Sequence, residues 1–191
     1  MNTGENVMNA FSVVAQTYAN LKKMFDQLDE VAGKNNAHSI VGKTGFLRWS
    51  SDMDTQGWYP GALVKLFQKK DEAQIGNTLL HNDSIYSLEV IFWFSCFKDS
   101  PEVVLSKLDY DDIVLNGKEP SISDHWKFHT TAIENKNFKY ENKGDLIIAT
   151  PKSVNISKKF GNLEKKTFKR IRLMDITAEN IDEVFNELLN I

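Results

Sequence analysis

Paired aspartates are the first side chains in this sequence that could carry chemistry. Asp52 and Asp54 form one pair, and Asp109 and Asp111 form another, each two positions apart. Carboxylates at this spacing in a loop can hold a hard metal ion. If the fold brought both pairs together with a histidine, the site would suit a metal-dependent phosphodiesterase or nuclease. We keep this enzyme as the alternative function.

The two histidines that are closest in sequence do not strengthen that alternative. His125 and His129 have the spacing of zinc ligands on a helix, but Trp126 and Phe128 alternate with them as in a strand. In a strand the two imidazoles would lie about 13 Å apart, which is too far for one metal ion. The sequence also has no His-Glu-x-x-His motif and no cysteine cluster. We therefore assign no catalytic residue, no metal site and no cofactor.

Aromatic side chains flank a polar loop in the first half of the chain. Trp49, Trp58 and Tyr59 occur with Arg48 around the polar residues 50–57. Aromatic rings beside a loop can form a binding surface for a small ligand or a peptide. The same rings could instead be core side chains that close the edge of a sheet. We predict a ligand-binding site at Arg48, Trp49, Trp58 and Tyr59, with the core position as the alternative.

Positive charge is concentrated near the C-terminus. Residues 152–172 carry eight bases and one acid, whereas the net charge of the whole chain is −3. Phe160 and Phe168 interleave the bases, a pattern suited to phosphate contacts combined with stacking. We predict a hairpin that turns near Gly161 and Asn162. Its anionic-partner face would consist of Lys158, Lys159, Lys165, Lys166, Lys169, Arg170 and Arg172. The alternatives are an edge strand protected by lysines, or pairing of the bases with the acidic C-terminal helix or a partner.

A long amphipathic helix is the clearest structural signal. Apolar residues recur at alternating steps of four and three, which is typical of one helical stripe over more than three heptads. They are Val7, Phe11, Val14, Tyr18, Leu21, Phe25, Leu28 and Ala32. Such a helix is about 38 Å long at 1.5 Å per residue. It must therefore lie across a whole sheet, or protrude and pair with a partner.

The middle of the chain changes to the period of two that is typical of strands. Ile85–Phe97 is apolar on both alternating faces, which predicts a central strand covered on both sides. The other predicted strands are Phe46–Ser50, Ala62–Gln68, Ile113–Asn116, Trp126–Ile133, Leu146–Thr150 and Phe168–Met174, of which Ala62–Gln68 also fits a helix.

Two further helices are predicted from their start signals. Ser100, Pro101 and Glu102 resemble the first turn of a short helix. Thr177 is placed as the N-cap of a C-terminal helix with acids in its first half. The apolar face of that helix would consist of Ile181, Val184, Phe185, Leu188 and Leu189.

This order of elements predicts an α+β fold, with a mostly antiparallel sheet flanked by a long N-terminal amphipathic helix and a C-terminal helix. The length of 191 residues favours a single α+β domain over 1–191. Within it we expect the N-terminal helix at 1–33, the sheet region at 46–174 and the C-terminal helix at 178–190.

Cysteine content and hydropathy indicate a cytoplasmic protein without a membrane segment. The single cysteine, Cys96, cannot form a disulfide within the chain, and the longest apolar run is far shorter than the ~20 residues of a spanning helix. We expect a non-enzymatic binding or regulatory protein that uses the N-terminal helix for self-association, as a homodimer, or for docking to a protein partner. Its basic hairpin would contact an anionic partner, with nucleic acid as one candidate.

Overall fold

The computed structural model describes residues 3–41, 45–49, 61–70, 84–92, 99–115, 120–129 and 136–191. The helices are α1 (Thr3–Lys34), α2 (His125–His129), α3 (Val154–Lys159) and α4 (Ile181–Leu189). The strands are β1 (Ala37–Ser39), β2 (Leu47–Trp49), β3 (Ala62–Lys69), β4 (Ile85–Ile91), β5 (Glu102–Tyr110), β6 (Phe138–Lys143), β7 (Leu146–Pro151) and β8 (Leu163–Arg172).

The eight strands form one sheet. The strand order is β1-β3-β4-β5-β8-β7-β6, and β2 also pairs with β3. Every pairing is antiparallel. With α1 and α4 at the two ends of the chain, this arrangement confirms the predicted α+β fold.

Helices α1 and α4 cover one side of the sheet, which we call the helix face. Phe25 of α1 and Phe185 of α4 are both buried there. The ring of Phe185 meets Phe67 of β3 edge to face, with 5.0 Å between the ring centroids. This aromatic contact helps to fix α4 against the sheet.

The other side of the sheet, which we call the opposite face, has a second core. Phe128 of α2 and Phe160, just after α3, pack there against apolar strand residues such as Leu108 and Phe168. This face also carries charge, because Glu89 of β4 and Lys166 of β8 are fully buried in it.

Helix α1 is continuous over 32 residues, about 48 Å at 1.5 Å per residue. In its C-terminal half, Leu21, Phe25 and Leu28 are buried against the helix face. In its N-terminal half, Phe11 and Val14 on the same stripe are exposed. The helix therefore does both of the things expected of it, since one half lies on the sheet and the other protrudes.

The short helix predicted at Ser100, Pro101 and Glu102 is wrong, because β5 begins at Glu102. β5 lies between β4 and β8, with most of its side chains buried. A strand that is buried on both faces has a nearly continuous apolar run, which helical spacing fits equally well. The position of β5 in the sheet thus decides its conformation.

The strand predicted at Trp126–Ile133 is also wrong, since α2 occupies the described part of that range. The carboxylate of Asp124 accepts hydrogen bonds from the backbone N–H (3.2 Å) and the hydroxyl (2.7 Å) of Ser121, and these contacts hold the turn that leads into α2. The strand predicted at Ile113–Asn116 is not formed either, because residues 113–115 have no regular structure.

The basic hairpin is corrected in its first arm. Residues Val154–Lys159 form α3, since the Ser153 hydroxyl caps its N-terminus. The turn lies where it was predicted, at Gly161 and Asn162, which have φ angles of 73° and 67°. β8 starts directly after this turn, five residues earlier than the strand predicted from Phe168.

Most other strand predictions are confirmed. Ala62–Gln68 and Leu146–Thr150 correspond to β3 and β7. Parts of the strands predicted at Phe46–Ser50 and Ile85–Phe97 correspond to β2 and β4, and the part that contains Cys96 lies outside the described residues. β6 was not predicted, because five of its six side chains are exposed and show no apolar alternation.

The C-terminal helix is confirmed with a later start. α4 begins at Ile181, preceded by Asn180, rather than after the predicted N-cap Thr177. The side-chain oxygen of Asn180 accepts a hydrogen bond of 2.8 Å from the backbone N–H of Thr177. This contact organises the turn before the helix.

Candidate functional site

The protruding half of α1 presents an apolar stripe. Val7, Phe11 and Val14 are 50%, 70% and 47% exposed, and they continue the spacing of the buried residues Leu21 and Phe25. Met8 and Val13 beside the stripe are exposed as well. We call Val7, Phe11, Val14 and Tyr18 the α1 stripe. Contiguous apolar surface of this kind typically marks an interaction site.

The protruding half is almost free of charge. Residues 3–20 contain one acid, Glu5, and no base. The polar contacts in this part are neutral, such as the hydrogen bond of 3.1 Å from Gln16 to Asn20. An exposed helix is normally rich in charged side chains on its solvent face. The composition of this segment therefore suits an apolar, uncharged partner surface.

Two grooves flank α1 where it reaches the sheet. One, of about 390 Å³, is lined by apolar side chains that include Tyr18, Phe25 and Phe46, together with Arg48. The other, of about 530 Å³, lies between α1 and residues 173–181. The α1 stripe thus runs directly into concave apolar surface on the folded body.

The first groove contains the described part of the predicted ligand site. Arg48 lies on its wall, and Phe46 contacts Phe25 with ring centroids 5.4 Å apart. The side chain of Trp49, and Trp58 and Tyr59 entirely, lie outside the described residues. Phe46, which was not among the predicted site residues, is one of the aromatic residues that line this groove with Arg48.

The seven predicted anion-binding bases do not share one surface. Lys165 and Lys169 occupy alternate positions of β8 from Lys166 and Arg170, so the two pairs lie on different faces of the sheet.

Five of the seven bases pair with carboxylates of this chain. Lys165 pairs with Asp109 (2.9 Å) and Arg170 with Glu102 (3.5 Å). Lys169 pairs with Glu187 of α4, as one sequence alternative had it. The remaining pairs are Lys166 with Glu89, and Arg172 with both Asp175 and Asp99. Lys158 and Lys159 at the end of α3 are exposed and take part in no ion pair with another described residue.

The pair of Lys166 and Glu89 is a charged cluster that the sequence analysis missed. The Lys166 ammonium donates to Glu89 Oε1 and to the carbonyl of Phe128 (3.0 Å). The hydroxyls of Ser87 and Ser106 lie 3.3 and 3.4 Å from the same carboxylate oxygen. The other oxygen, Oε2, is buried and accepts no hydrogen bond from a residue that the structure describes. A charged residue within the apolar strand β4 was the signal that could have revealed it.

Burial dominates the ionisation of this pair. It raises the pKa of Glu89, which the nearby ammonium and the hydrogen bonds partly oppose. It also lowers the pKa of Lys166, although Glu89 counteracts that change. Desolvation disfavours both charged forms, so this pair is costly to keep inside the protein.

Of the paired aspartates, Asp109 takes part in contacts that stabilise the fold. Burial raises the pKa of Asp109, but hydrogen bonds from Ser84 and Lys165 and the charge of Lys107 outweigh it, so that the pKa is lowered overall. Asp111 is exposed, and Asp52 and Asp54 lie outside the described residues. Among the residues that the structure describes, no three His, Cys, Asp or Glu side chains form a group that could hold a metal ion.

The helical conformation of α2 corrects the distance argument for the two histidines. His125 and His129 are one turn apart on a helix rather than about 13 Å apart along a strand. The side chain of His129 lies outside the described residues.

Comparisons with protein-family models, curated protein sequences and solved structures found no match to this chain. None of the helices in the described ranges is both long and apolar enough to cross a membrane.

Proposed function

We propose that this protein is a non-enzymatic binding protein of the cytoplasm that self-associates through the protruding half of α1. The observation that supports this most is the exposure of Phe11, at 70%, in a stripe whose continuation forms the core of the helix face. The cytoplasmic location rests on the single cysteine.

A second copy of the chain is the occupant that best fits the α1 stripe. With one charge in residues 3–20, the helix has no pattern that would select an oppositely charged partner. A second copy supplies an equally apolar and equally uncharged stripe. Homodimers most often form such two-fold interfaces, in which the same patch is used twice.

The spacing of the stripe is self-complementary when two copies run antiparallel. Val7 of one copy then lies beside Tyr18 of the other, and Phe11 lies beside Val14, so that a large side chain meets a small one each time. The same register brings the helix start, Thr3, beside residue 22 of the partner, where the groove lined by Tyr18, Phe25 and Phe46 opens. The protruding half is thus the right length to reach the partner's body.

Light scattering coupled to size-exclusion chromatography tests this proposal. The full chain should elute as a dimer, and the variant with Phe11→Glu and Val14→Glu should elute as a folded monomer. Gln16→Glu is the matched control, because Gln16 lies away from the stripe on the same helix. A wild-type chain that stays monomeric over a wide concentration range would contradict the proposal, as would an unchanged dimer of the double variant.

The geometry gives less support to a metal-dependent phosphodiesterase. That enzyme needs Asp109 as a ligand, yet its carboxylate accepts a hydrogen bond of 2.6 Å from Ser84 and pairs with Lys165 at 2.9 Å. A carboxylate held by a lysine and a serine is already neutralised.

A further inference from the structure

A third groove lies far from α1, on the opposite face of the sheet, where β6, β7 and β8 are neighbours. This groove has a volume of about 530 Å³, which is in the range of small-molecule sites. The side chains that give it character are Lys136, Phe138, Tyr140, Asn142, Phe168 and Arg170. We call it the β6–β8 groove.

The charges of the β6–β8 groove favour an anion. Lys136 and Arg170 line it, and none of its described lining residues is acidic. Because Arg170 pairs with the buried Glu102, the net positive charge of the lining comes from Lys136, and Arg170 contributes a planar hydrogen-bond donor. The guanidinium of Arg170 lies over the ring of Phe168, 5.7 Å from the centroid, and its Nε lies 3.5 Å from the buried Glu102. These contacts orient the planar donor group before a ligand arrives, which lowers the entropic cost of binding.

The two cations beside this ring differ in what they can offer a ligand, because Lys166 is fully buried and paired with Glu89, whereas Arg170 lines the groove. The ammonium of Lys166 lies 5.8 Å from the centroid of the same Phe168 ring. Lys166 and Arg170, the residues two positions before and after Phe168 in β8, are therefore both close to this ring. Arginine is scarce in this chain, with three residues in all, and one of them lines this groove.

The remaining lining is aromatic and flat. Tyr140 is 40% exposed, whereas Phe138 is buried at the base. Aromatic side chains on a sheet surface are the usual stacking partners of planar rings. Asn142 adds an amide that can both donate and accept hydrogen bonds.

We propose that the β6–β8 groove binds a small aromatic anion, a planar ring that carries one phosphate or carboxylate group. The ring stacks on Tyr140, and the anionic group lies between Lys136 and Arg170. Asn142 hydrogen-bonds to the polar edge of the ligand. This inference is independent of the self-association through α1, because no residue of α1 lines this groove.

Isothermal titration calorimetry of the full chain tests the proposal with paired probes. Adenosine monophosphate is compared with adenosine, and benzoate with benzyl alcohol. We expect at least one anionic probe to bind at least about tenfold more tightly than its neutral counterpart, in line with a charge-assisted hydrogen bond. Binding of the phosphate probe alone identifies the anion as phosphate, and binding of benzoate alone identifies it as carboxylate. Equal binding of the neutral and the anionic probe in both pairs, or no binding by either anion, overturns the proposal.

Substitutions in β6 and in the turn before it test whether the probe binds in the β6–β8 groove. Lys136→Gln should weaken binding of the anionic probe about tenfold. Tyr140→Leu should weaken the anionic and the neutral probe of a pair to the same extent. Lys139→Gln is the matched control, because Lys139 is exposed and its β6 position alternates with those of Phe138 and Tyr140. Circular dichroism establishes that each variant folds. An equal loss in Lys139→Gln and Lys136→Gln would show diffuse charge attraction and overturn the site.

Discussion

Lys166 of β8 donates a hydrogen bond to Glu89 of β4 across the intervening strand β5, although 77 positions separate the two residues in the chain. Both side chains are completely buried. The contact joins the second half of the sheet to the first through charge rather than through apolar packing alone.

Removing one member of this pair should destabilise the protein strongly. Lys166→Met leaves the Glu89 carboxylate buried without its cation, and we expect a loss of about 3–5 kcal/mol in the free energy of unfolding. Adding Glu89→Met should restore most of that loss, since a paired apolar replacement avoids the desolvation of two charges. Urea unfolding measures both values.

The neighbouring lysine provides the control for that experiment. Lys165 pairs with Asp109, but its side chain is 47% exposed. Lys165→Met should therefore cost no more than about 1 kcal/mol. Equal losses in Lys165→Met and Lys166→Met would contradict the assignment of Lys166 to the interior.

Glu89 should also make stability depend on pH when its partner is absent. Its pKa in the folded protein is raised above the ordinary value of 4.5, and Lys166 limits the rise. The stabilisation from protonated Glu89 is complete below the unfolded value and is lost as the pH increases through the folded value. In Lys166→Met the folded pKa rises further, so the free energy of unfolding should fall as the pH increases from about 5.

The matched variant for the pH series carries Glu89→Gln together with Lys166→Met. Because both variants lack Lys166, the titration of that lysine cancels between them. The difference in unfolding free energy between the two should change steadily with pH. A difference that is independent of pH would show that Glu89 has an ordinary pKa in the fold.

Two glycines with similar backbone angles should respond differently to substitution. Gly161 has a φ of +73°, and an added Cβ would lie 3.2 Å from the carbonyl of Val114 and 3.3 Å from the side chain of Lys127. Gly144 has a φ of +60° and no atom within 4 Å of the same position. Gly144→Ala should lower the free energy of unfolding by only about 1–2 kcal/mol, which is the strain of placing alanine in this backbone conformation. Gly161→Ala should lower the free energy of unfolding by more, because the added methyl group is also crowded by its neighbours. Thermal unfolding measures both variants, and equal losses of stability would contradict the crowding at Gly161.

The local hydrophobic pattern was sufficient to predict the elements that bury a single apolar face. The stripe from Val7 to Ala32 predicts α1, and the residues after Ile181 predict α4. It failed for β5, because a strand covered on both sides has no polar face to set its period. It failed for α2 because the aromatic residues Trp126 and Phe128 imitate the alternation of a strand.

The charged contacts could not be derived from local pattern. The run of bases from Lys152 to Arg172 is visible in the sequence, but its division between two sheet faces depends on where β8 begins. The partner of Lys166 depends on the strand order β4-β5-β8, which is a long-range property. The presence of Glu89 in an apolar strand predicts only that some cation must meet it.

Disulfide trapping in mixed chains tests the antiparallel α1 pairing most directly. One chain carries Phe11→Cys and the other Val14→Cys, each in a Cys96→Ser background and with a different affinity tag. In an antiparallel dimer, mild oxidation should give mainly the mixed disulfide between the two chains. Absence of any cross-link, or preferential coupling of the Phe11→Cys chain to itself, would contradict the antiparallel pairing.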